Sequence, residues 1–131
     1  MKSELRLPKA FPAALAERAF QVGYMPWPAW TITDGVGAIE AYRSLSLAVI
    51  GGNLAVRTAT DTQTHYTTDQ GDYAYCFDIT QDENECWSDF VHRSCEESSR
   101  HLSEFKPSYP IIDAEPYTVG FMLIWMAQDS V

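Results

Sequence analysis

The residues best suited to chemistry lie close together in the middle of the chain. His65 is followed by Asp69 and Asp72, and an imidazole with two carboxylates could bind a divalent cation or accept a proton from water. Cys76 comes soon after them, but its place in an alternating strand pattern favours a buried thiol over a nucleophile. This cluster supports one hypothesis, a small metal-dependent or hydrolytic enzyme.

The motifs of well-known catalytic sites are missing from the sequence. It has no glycine-rich phosphate loop followed by lysine, no Cys-x-x-Cys or His-Glu-x-x-His metal motif, and no Gly-x-Ser-x-Gly nucleophile turn. His92 and His101 are about half a turn out of phase on a predicted helix, so they cannot join one site. We therefore predict a protein that is not an enzyme, with no catalytic residue, no cofactor and no bound metal.

Acidic residues are concentrated in the middle third of the chain. Residues 1–60 contain six Lys/Arg and four Asp/Glu, whereas residues 61–104 contain eleven Asp/Glu against Arg93 and Arg100, within a net charge of -9. Such segregation produces a negative surface that attracts a positively charged partner and repels nucleic acid and anionic membrane. The alternative is that the acids only keep a small protein in solution.

The candidate partner-binding residues are acids without a basic neighbour in the sequence, together with two tyrosines suited to interface hot spots. They are Asp61, Tyr66, Asp69, Asp72, Tyr73, Asp78, Asp82, Glu83 and Glu85. Two further acids are expected to be neutralised along one helix, through the i,i+4 pairs Asp89–Arg93 and Glu96–Arg100.

Hydrophobic periodicity and turn residues predict three helices and four strands. The predicted helices are 11–22, a helix capped by Thr33 and ending near Leu45, and a long helix from Asp82 to Phe105 with Glu85 at the capping-box position. The predicted strands are 46–50, 54–59, 73–79 and 118–126, the last apolar on both faces and therefore central. Gly51-Gly52-Asn53 indicates a tight turn or a bulge between the first two. The aromatics of residues 23–30 are expected to fold back onto the core.

These elements indicate an α+β fold. We predict a single domain over residues 1–131, with its core in about 11–127. An antiparallel or mixed sheet of about four strands would pack against about three helices.

The cysteines and the apolar segments predict a cytoplasmic protein. The three cysteines are odd in number, and Cys86 and Cys95 point to opposite sides of one predicted helix, so all are expected to be reduced. The first residues do not have the pattern of a secretory signal. The longest apolar run, 119–127, is about half the length that spans a bilayer.

Several short motifs, taken in order, resemble one bacterial protein family. They are Trp30-Thr31-Ile32-Thr33, Ala38-Ile39-Glu40-Ala41, Ile50-Gly51-Gly52-Asn53, Tyr75-Cys76 and Arg93-Ser94. Together they resemble immunity protein 40 of polymorphic toxin systems, over roughly residues 20–126. Asn53 stands where the family has Asp, and Tyr75 where it has Trp.

The resemblance implies an immunity protein that blocks the C-terminal toxin domain of a contact-dependent or secreted effector. Together with the acidic surface, it predicts as partner a cognate toxin domain with a basic active-site cleft, inhibited by stoichiometric occlusion. The motif residues are expected to define the fold. Trp30 would lie in the core, Thr33 would cap a helix, and Gly51 and Gly52 would form a turn that needs positive φ. A further alternative is an acidic adaptor or chaperone that binds a basic secreted protein, which would stay active when bound.

Overall fold

Three helices and six strands make up the described part of the chain, which is residues 5–57, 62–64, 76–105 and 118–128 of a computed structural model. In chain order they are α1 Ala13–Arg18, β1 Phe20–Gln21, β2 Pro28–Thr31, α2 Ile32–Ser44, β3 Ala48–Arg57, β4 Thr62–Thr64, β5 Cys76–Asp78, α3 Trp87–Ser103 and β6 Thr118–Met126.

The strands form one antiparallel sheet in the order β1-β2-β6-β3-β4. β5 pairs with β3 at residues 51–53, whereas β4 pairs with it at residues 55–57. β4 and β5 therefore lie one after the other along the same edge of β3, and the sheet is five strands wide. The predicted α+β fold is confirmed, with more strands than the expected four or so.

The terminal strand β6 lies at the centre of this sheet, as its apolar pattern predicts. It pairs with β2 on one side and with the whole length of β3 on the other. Phe121 and Leu123 belong to the core cluster that includes the helices, whereas Met122 belongs to a second cluster with Phe20 and Ala29. A strand buried on both faces needs apolar residues at consecutive positions.

The first helix is shorter than predicted, because the chain after it forms an edge strand. Residues 20–21 pair with residues 28–29, so the predicted helix 11–22 ends at Arg18. Trp30 is fully buried and donates its Nε1 hydrogen to the carbonyl of Leu15 at 2.8 Å, as expected of a core residue. The expectation that every aromatic of this segment packs inward is wrong for Tyr24, which is 100% exposed. Gly23, with φ of +54°, turns the chain outward there.

The helix α2 is capped by Thr31, so the prediction of Thr33 as the cap is wrong. The Oγ1 of Thr31 accepts a hydrogen bond from the backbone N–H of Asp34 at 3.3 Å, while Thr33 lies exposed in the first turn. Thr31 is still paired with Gly120 of β6. The strand therefore passes directly into the helix, and its last residue becomes the cap.

Gly51 and Gly52 lie inside β3, which replaces the two strands predicted at 46–50 and 54–59. Of the tight turn or bulge predicted between those strands, the bulge is present, whereas the turn with positive φ is wrong. Among the described glycines, Gly23 alone has a positive φ. The pairing of β3 with β6 shifts between Val49 and Gly51, which gives a bulge in place of a turn. A Cβ on Gly52 would lie 2.5 Å from the ring of Phe77, so the glycine makes room for that ring.

Two buried serines on α3 fix the helix against this bulge. Ser94 accepts a hydrogen bond from the N–H of Val49, and Ser98 donates to the carbonyl of Val49, both at 3.3 Å. The backbone polar groups at the irregularity are thereby satisfied inside the core. The helical periodicity of α3 predicts a buried stripe of Trp87, Phe90, Val91, Ser94, Cys95, Ser98, Leu102 and Phe105. Six of these residues are buried, whereas Trp87 and Phe105 are only partly buried.

Ser46 lies just after the end of α2, in a backbone conformation that is unfavourable for a residue with a side chain. Its φ is +61°, its N–H donates to the carbonyl of Arg43, and the N–H of Leu47 donates to that of Tyr42. This is a Schellman motif, in which glycine is the favoured residue. The carbonyl of Ser46 also accepts the Nε1 hydrogen of Trp87 at 2.9 Å, a contact that any residue at this position can keep.

Replacing Ser46 with glycine is therefore expected to raise the free energy of unfolding by roughly 0.5–1 kcal/mol, because the steric strain is lost while the unfolded chain gains some entropy. Urea titration would measure the change. Ser44→Gly, in the last turn of the same helix, is the matched control and should lower stability by roughly 0.5 kcal/mol. A Ser46→Gly variant less stable than the parent would contradict the steric strain inferred at Ser46.

Candidate partner-binding surface

The described part of the predicted acidic surface is the segment from Asp78 to Glu85, which we call the acidic turn. It links β5 to α3 and contains four acids and no Lys or Arg. Asp78 and Glu83 are exposed, and the side chain of Asp82 is 78% exposed. The turn therefore presents three carboxylates to solvent beside the N-terminus of α3.

One arginine from α3 reaches back and holds this turn. The Nε and Nη2 atoms of Arg93 each donate to one oxygen of Glu85 at 2.8 Å, which is the bidentate geometry of strong guanidinium–carboxylate pairs. Nη2 also donates to the carbonyl of Thr80 at 2.7 Å, and Nη1 donates to Glu97 at 3.2 Å. The guanidinium carbon lies 5.6 Å from the ring centroid of Phe90.

This arrangement corrects two expectations about charge pairing. Glu85 was expected to lack a basic neighbour, yet it is the main partner of Arg93, and Asp82 lies 3.9 Å from the same guanidinium. Arg93 pairs with Glu85 and Glu97 in place of Asp89, and Glu96 pairs with His92 at 3.4 Å in place of Arg100. Glu85 and Thr80, which precede the helix, together with Glu97, one turn further along it, offer Arg93 more acceptors than Asp89 alone.

The turn is also closed by its own hydrogen bonds. The N–H of Asp82 donates to Oε1 of Glu85 at 3.0 Å, and the N–H of Glu85 donates to the carbonyl of Asp82 at 3.1 Å. The predicted contact between these two residues thus exists. The helix, however, begins five residues later than Asp82, at Trp87, and its N-cap Cys86 makes no side-chain capping bond. The acidic residues are therefore part of a loop and not of the helix.

Arg93 holds the pKa of Glu85 well below its usual range. The side-chain hydrogen bonds from Arg93, followed by the backbone hydrogen bond from Asp82, lower the pKa of Glu85 to about 2. A pKa that is lower in the folded than in the unfolded chain stabilises the fold fully above the unfolded value of about 4.3. That contribution is lost progressively as the pH falls from about 4.3 through about 2.

We therefore expect the acidic turn to keep its shape at every pH above about 4. The side-chain carboxyl ¹³C shift of Glu85, followed by NMR against pH, should titrate with a midpoint near 2. In an Arg93→Gln variant the midpoint should rise toward the ordinary glutamate value of about 4.3. Equal midpoints in the two proteins would show that Arg93 does not bind this carboxylate.

Other predicted site residues fall outside the described residues. They are Asp61, Tyr66, Asp69, Asp72 and Tyr73, together with His65 of the enzyme hypothesis. Among the residues that are described, no three His, Cys, Asp or Glu side chains are placed to hold a metal ion.

The three cysteines are free, and the exposure of one of them differs from its prediction. Cys95 is buried, and burial raises the pKa of its thiol. Cys76 is exposed, so its prediction as a core thiol is wrong. The strand alternates as expected, but Phe77 is the residue that faces the core, which leaves both of its neighbours in solvent.

No family model matches this chain. No curated protein and no solved structure matches it either. The resemblance to the immunity family therefore rests on the motifs themselves.

The described motif residues have structural roles. Trp30 is buried, Gly52 accommodates Phe77, and Ser94 binds the bulge of β3. Arg93, the neighbour of Ser94, points the other way and binds the acidic turn. The Arg-Ser pair thus connects the core to the surface on which the acids lie.

Two features of the surface were not evident from the sequence. The contact of Arg93 with Glu85 spans eight positions, which no helical spacing rule anticipates. The exposed Tyr24 lies between β1 and β2, at the opposite edge of the sheet from β5.

None of the described helices is long and apolar enough to cross a membrane.

Proposed function

We propose that this protein is a cytoplasmic immunity protein that binds and neutralises a cognate bacterial toxin domain. One observation carries the proposal. Asp78, Asp82 and Glu83 are exposed on a turn whose shape is fixed by the pairing of Arg93 with Glu85. Preformed charged groups bind with less loss of conformational entropy than groups on a loop that must first be ordered.

The charge of this surface indicates the kind of partner. Within the described part of the chain, the four carboxylates of the turn share one nearby cation, Arg93. The excess negative charge is repulsive, and a cluster of Lys and Arg on a partner relieves that repulsion. Enzymes that act on nucleic acids or nucleotides concentrate such cations in their active-site clefts. A rigid acidic turn that enters the cleft would exclude the substrate, so inhibition would need one inhibitor per toxin and no catalysis.

The family resemblance supports the same function and fits the division of roles in the structure. Immunity proteins must each fit their own toxin, so their interfaces vary while their cores persist. In this chain the motif residues Trp30, Gly52 and Ser94 lie in the scaffold. The exposed acids Asp82 and Glu83 lie outside the motifs.

The proposal is tested by calorimetric titration against the C-terminal domain of the protein encoded immediately upstream. We expect a one-to-one complex whose affinity falls at least about tenfold between roughly 50 and 300 mM salt, because screening weakens attraction between exposed charges. No heat of binding at the lower salt concentration would contradict the proposal.

A further inference from the structure

We propose that Arg93 is a positioning residue for the acidic turn, and that Asp78, Asp82 and Glu83, but not Glu85, are the carboxylates that meet the partner. The inference rests on the proposed function. It separates the acids of the turn into one that shapes it and three that bind.

Glu85 is already fully engaged within the molecule. Its Oε1 accepts hydrogen bonds from Arg93 and from the N–H of Asp82, and its Oε2 accepts a further one from Arg93. Its side chain is only 12% exposed. A partner could reach this carboxylate only by breaking three hydrogen bonds, two of them to a cation.

The binding acids differ from Glu85 in both exposure and pairing. Asp82 is the nearest of them to Arg93, and its carboxylate is still 3.9 Å from the guanidinium. Asp78 and Glu83 are exposed and form no ion pair with any residue that the structure describes. These three carboxylates are therefore available to a basic partner.

Arg93 is itself fixed from the helix side. It binds Glu97 one turn further along α3 and lies over the buried ring of Phe90. Its neighbour Ser94 is bonded to the N–H of Val49. The guanidinium thus connects the turn to a helix that is itself fixed against the core.

Charge and position make opposite predictions for the loss of Arg93. Removing a cation from an acidic surface should, by charge alone, speed association with a basic partner and tighten binding. If Arg93 positions the turn, the same change allows the three carboxylates to adopt several arrangements, of which only one fits the partner. Binding should then weaken, by about tenfold, despite the more negative surface.

The experiment measures amide hydrogen exchange in the free protein and the affinity for the upstream-encoded C-terminal domain. The amides of Asp82 and Glu85 are the reporters, because both are hydrogen-bonded within the turn. In Arg93→Gln we expect their exchange to rise about tenfold or more, and Arg93→Lys should restore only part of the protection, since an ammonium cannot pair in bidentate fashion. Arg100→Gln, the same charge change on the exposed face of α3, should leave exchange unchanged.

Two carboxamide variants complete the design. Glu85→Gln should accelerate exchange of the turn, whereas Glu83→Gln should weaken binding and leave exchange unaltered. Unchanged exchange in Arg93→Gln, or tighter binding of that variant, would overturn the positioning role. A wild-type protein that does not bind would instead refute the proposed function, and the exchange data would still decide whether Arg93 holds the turn.

Discussion

Replacement of Gly120 with alanine is expected to prevent stable folding. Gly120 lies in the central strand β6, opposite Thr31 of β2 and Ala55 of β3. A Cβ at this position would overlap the backbone carbonyl oxygen of Trp30. Because that oxygen belongs to the main chain, no side-chain rotation can relieve the overlap, and a strand must move away from the one beside it.

The expected loss is more than about 4 kcal/mol, which is a large share of the roughly 5–15 kcal/mol that stabilises a domain. Urea unfolding followed by circular dichroism measures it. Gly37→Ala is the matched control, since its Cβ would meet only Leu15 at 3.8 Å. In helix α2 the added methyl group should stabilise by up to about 1 kcal/mol. A Gly120→Ala protein within about 1 kcal/mol of the parent would refute the close approach of β2 and β6.

Reversal of Asp82 and Glu83 to lysine is expected to weaken binding to the proposed toxin partner by roughly 100-fold at low salt. Both side chains are exposed on the acidic turn and neither accepts a hydrogen bond from Arg93, so the fold should be retained. Most of the loss should appear in the association rate, because exposed charges act chiefly on the encounter between the partners. Stopped-flow or surface-based kinetics would separate the two rate constants.

The control for this variant must carry the same net charge. Reversing Glu17 in α1 and Glu104 after α3 changes two exposed acids that lie outside the acidic turn. This protein should lose much less affinity, and the loss should disappear at moderate salt. If both double variants lost affinity equally, net charge and not the acidic turn would govern recognition.

Some elements could be predicted from the sequence because their signals are local and consistent. The terminal strand 118–126 is apolar at consecutive positions, and only a strand buried on both faces requires that pattern. The stripe of α3 from Phe90 to Leu102 follows the helical repeat over several turns. The strand has the predicted bounds and is fully buried at residues 120–123, and six of the eight predicted stripe residues are buried.

Other features depend on partners that are distant in the sequence. Thr31 and Thr33 are equally suitable caps, and only the pairing of Thr31 with β6 decides between them. In the sequence, Gly51-Gly52 is compatible with a turn. In the structure the ring of Phe77 lies against Gly52, which explains why this strand needs glycine there.

The contacts of Arg93 in the candidate site also depend on residues that local sequence rules do not identify. The i,i+4 rule assigns Arg93 to Asp89, an interaction worth only a few tenths of a kcal/mol on an exposed helix. In the folded protein Glu85, Thr80 and Glu97 offer better geometry. The exposure of Asp78, Asp82 and Glu83 could therefore be predicted from the sequence, but not the use of Glu85 to build the turn.

In the proposed function, this protein occludes the active site of its partner. The most direct measurement follows the catalytic activity of the upstream-encoded C-terminal domain while this protein is added in increasing amounts. We expect activity to fall in proportion and to vanish at one equivalent, with Asp82→Lys/Glu83→Lys shifting the curve to much higher concentration. A complex that forms and leaves the domain fully active would contradict occlusion and identify the protein as an adaptor.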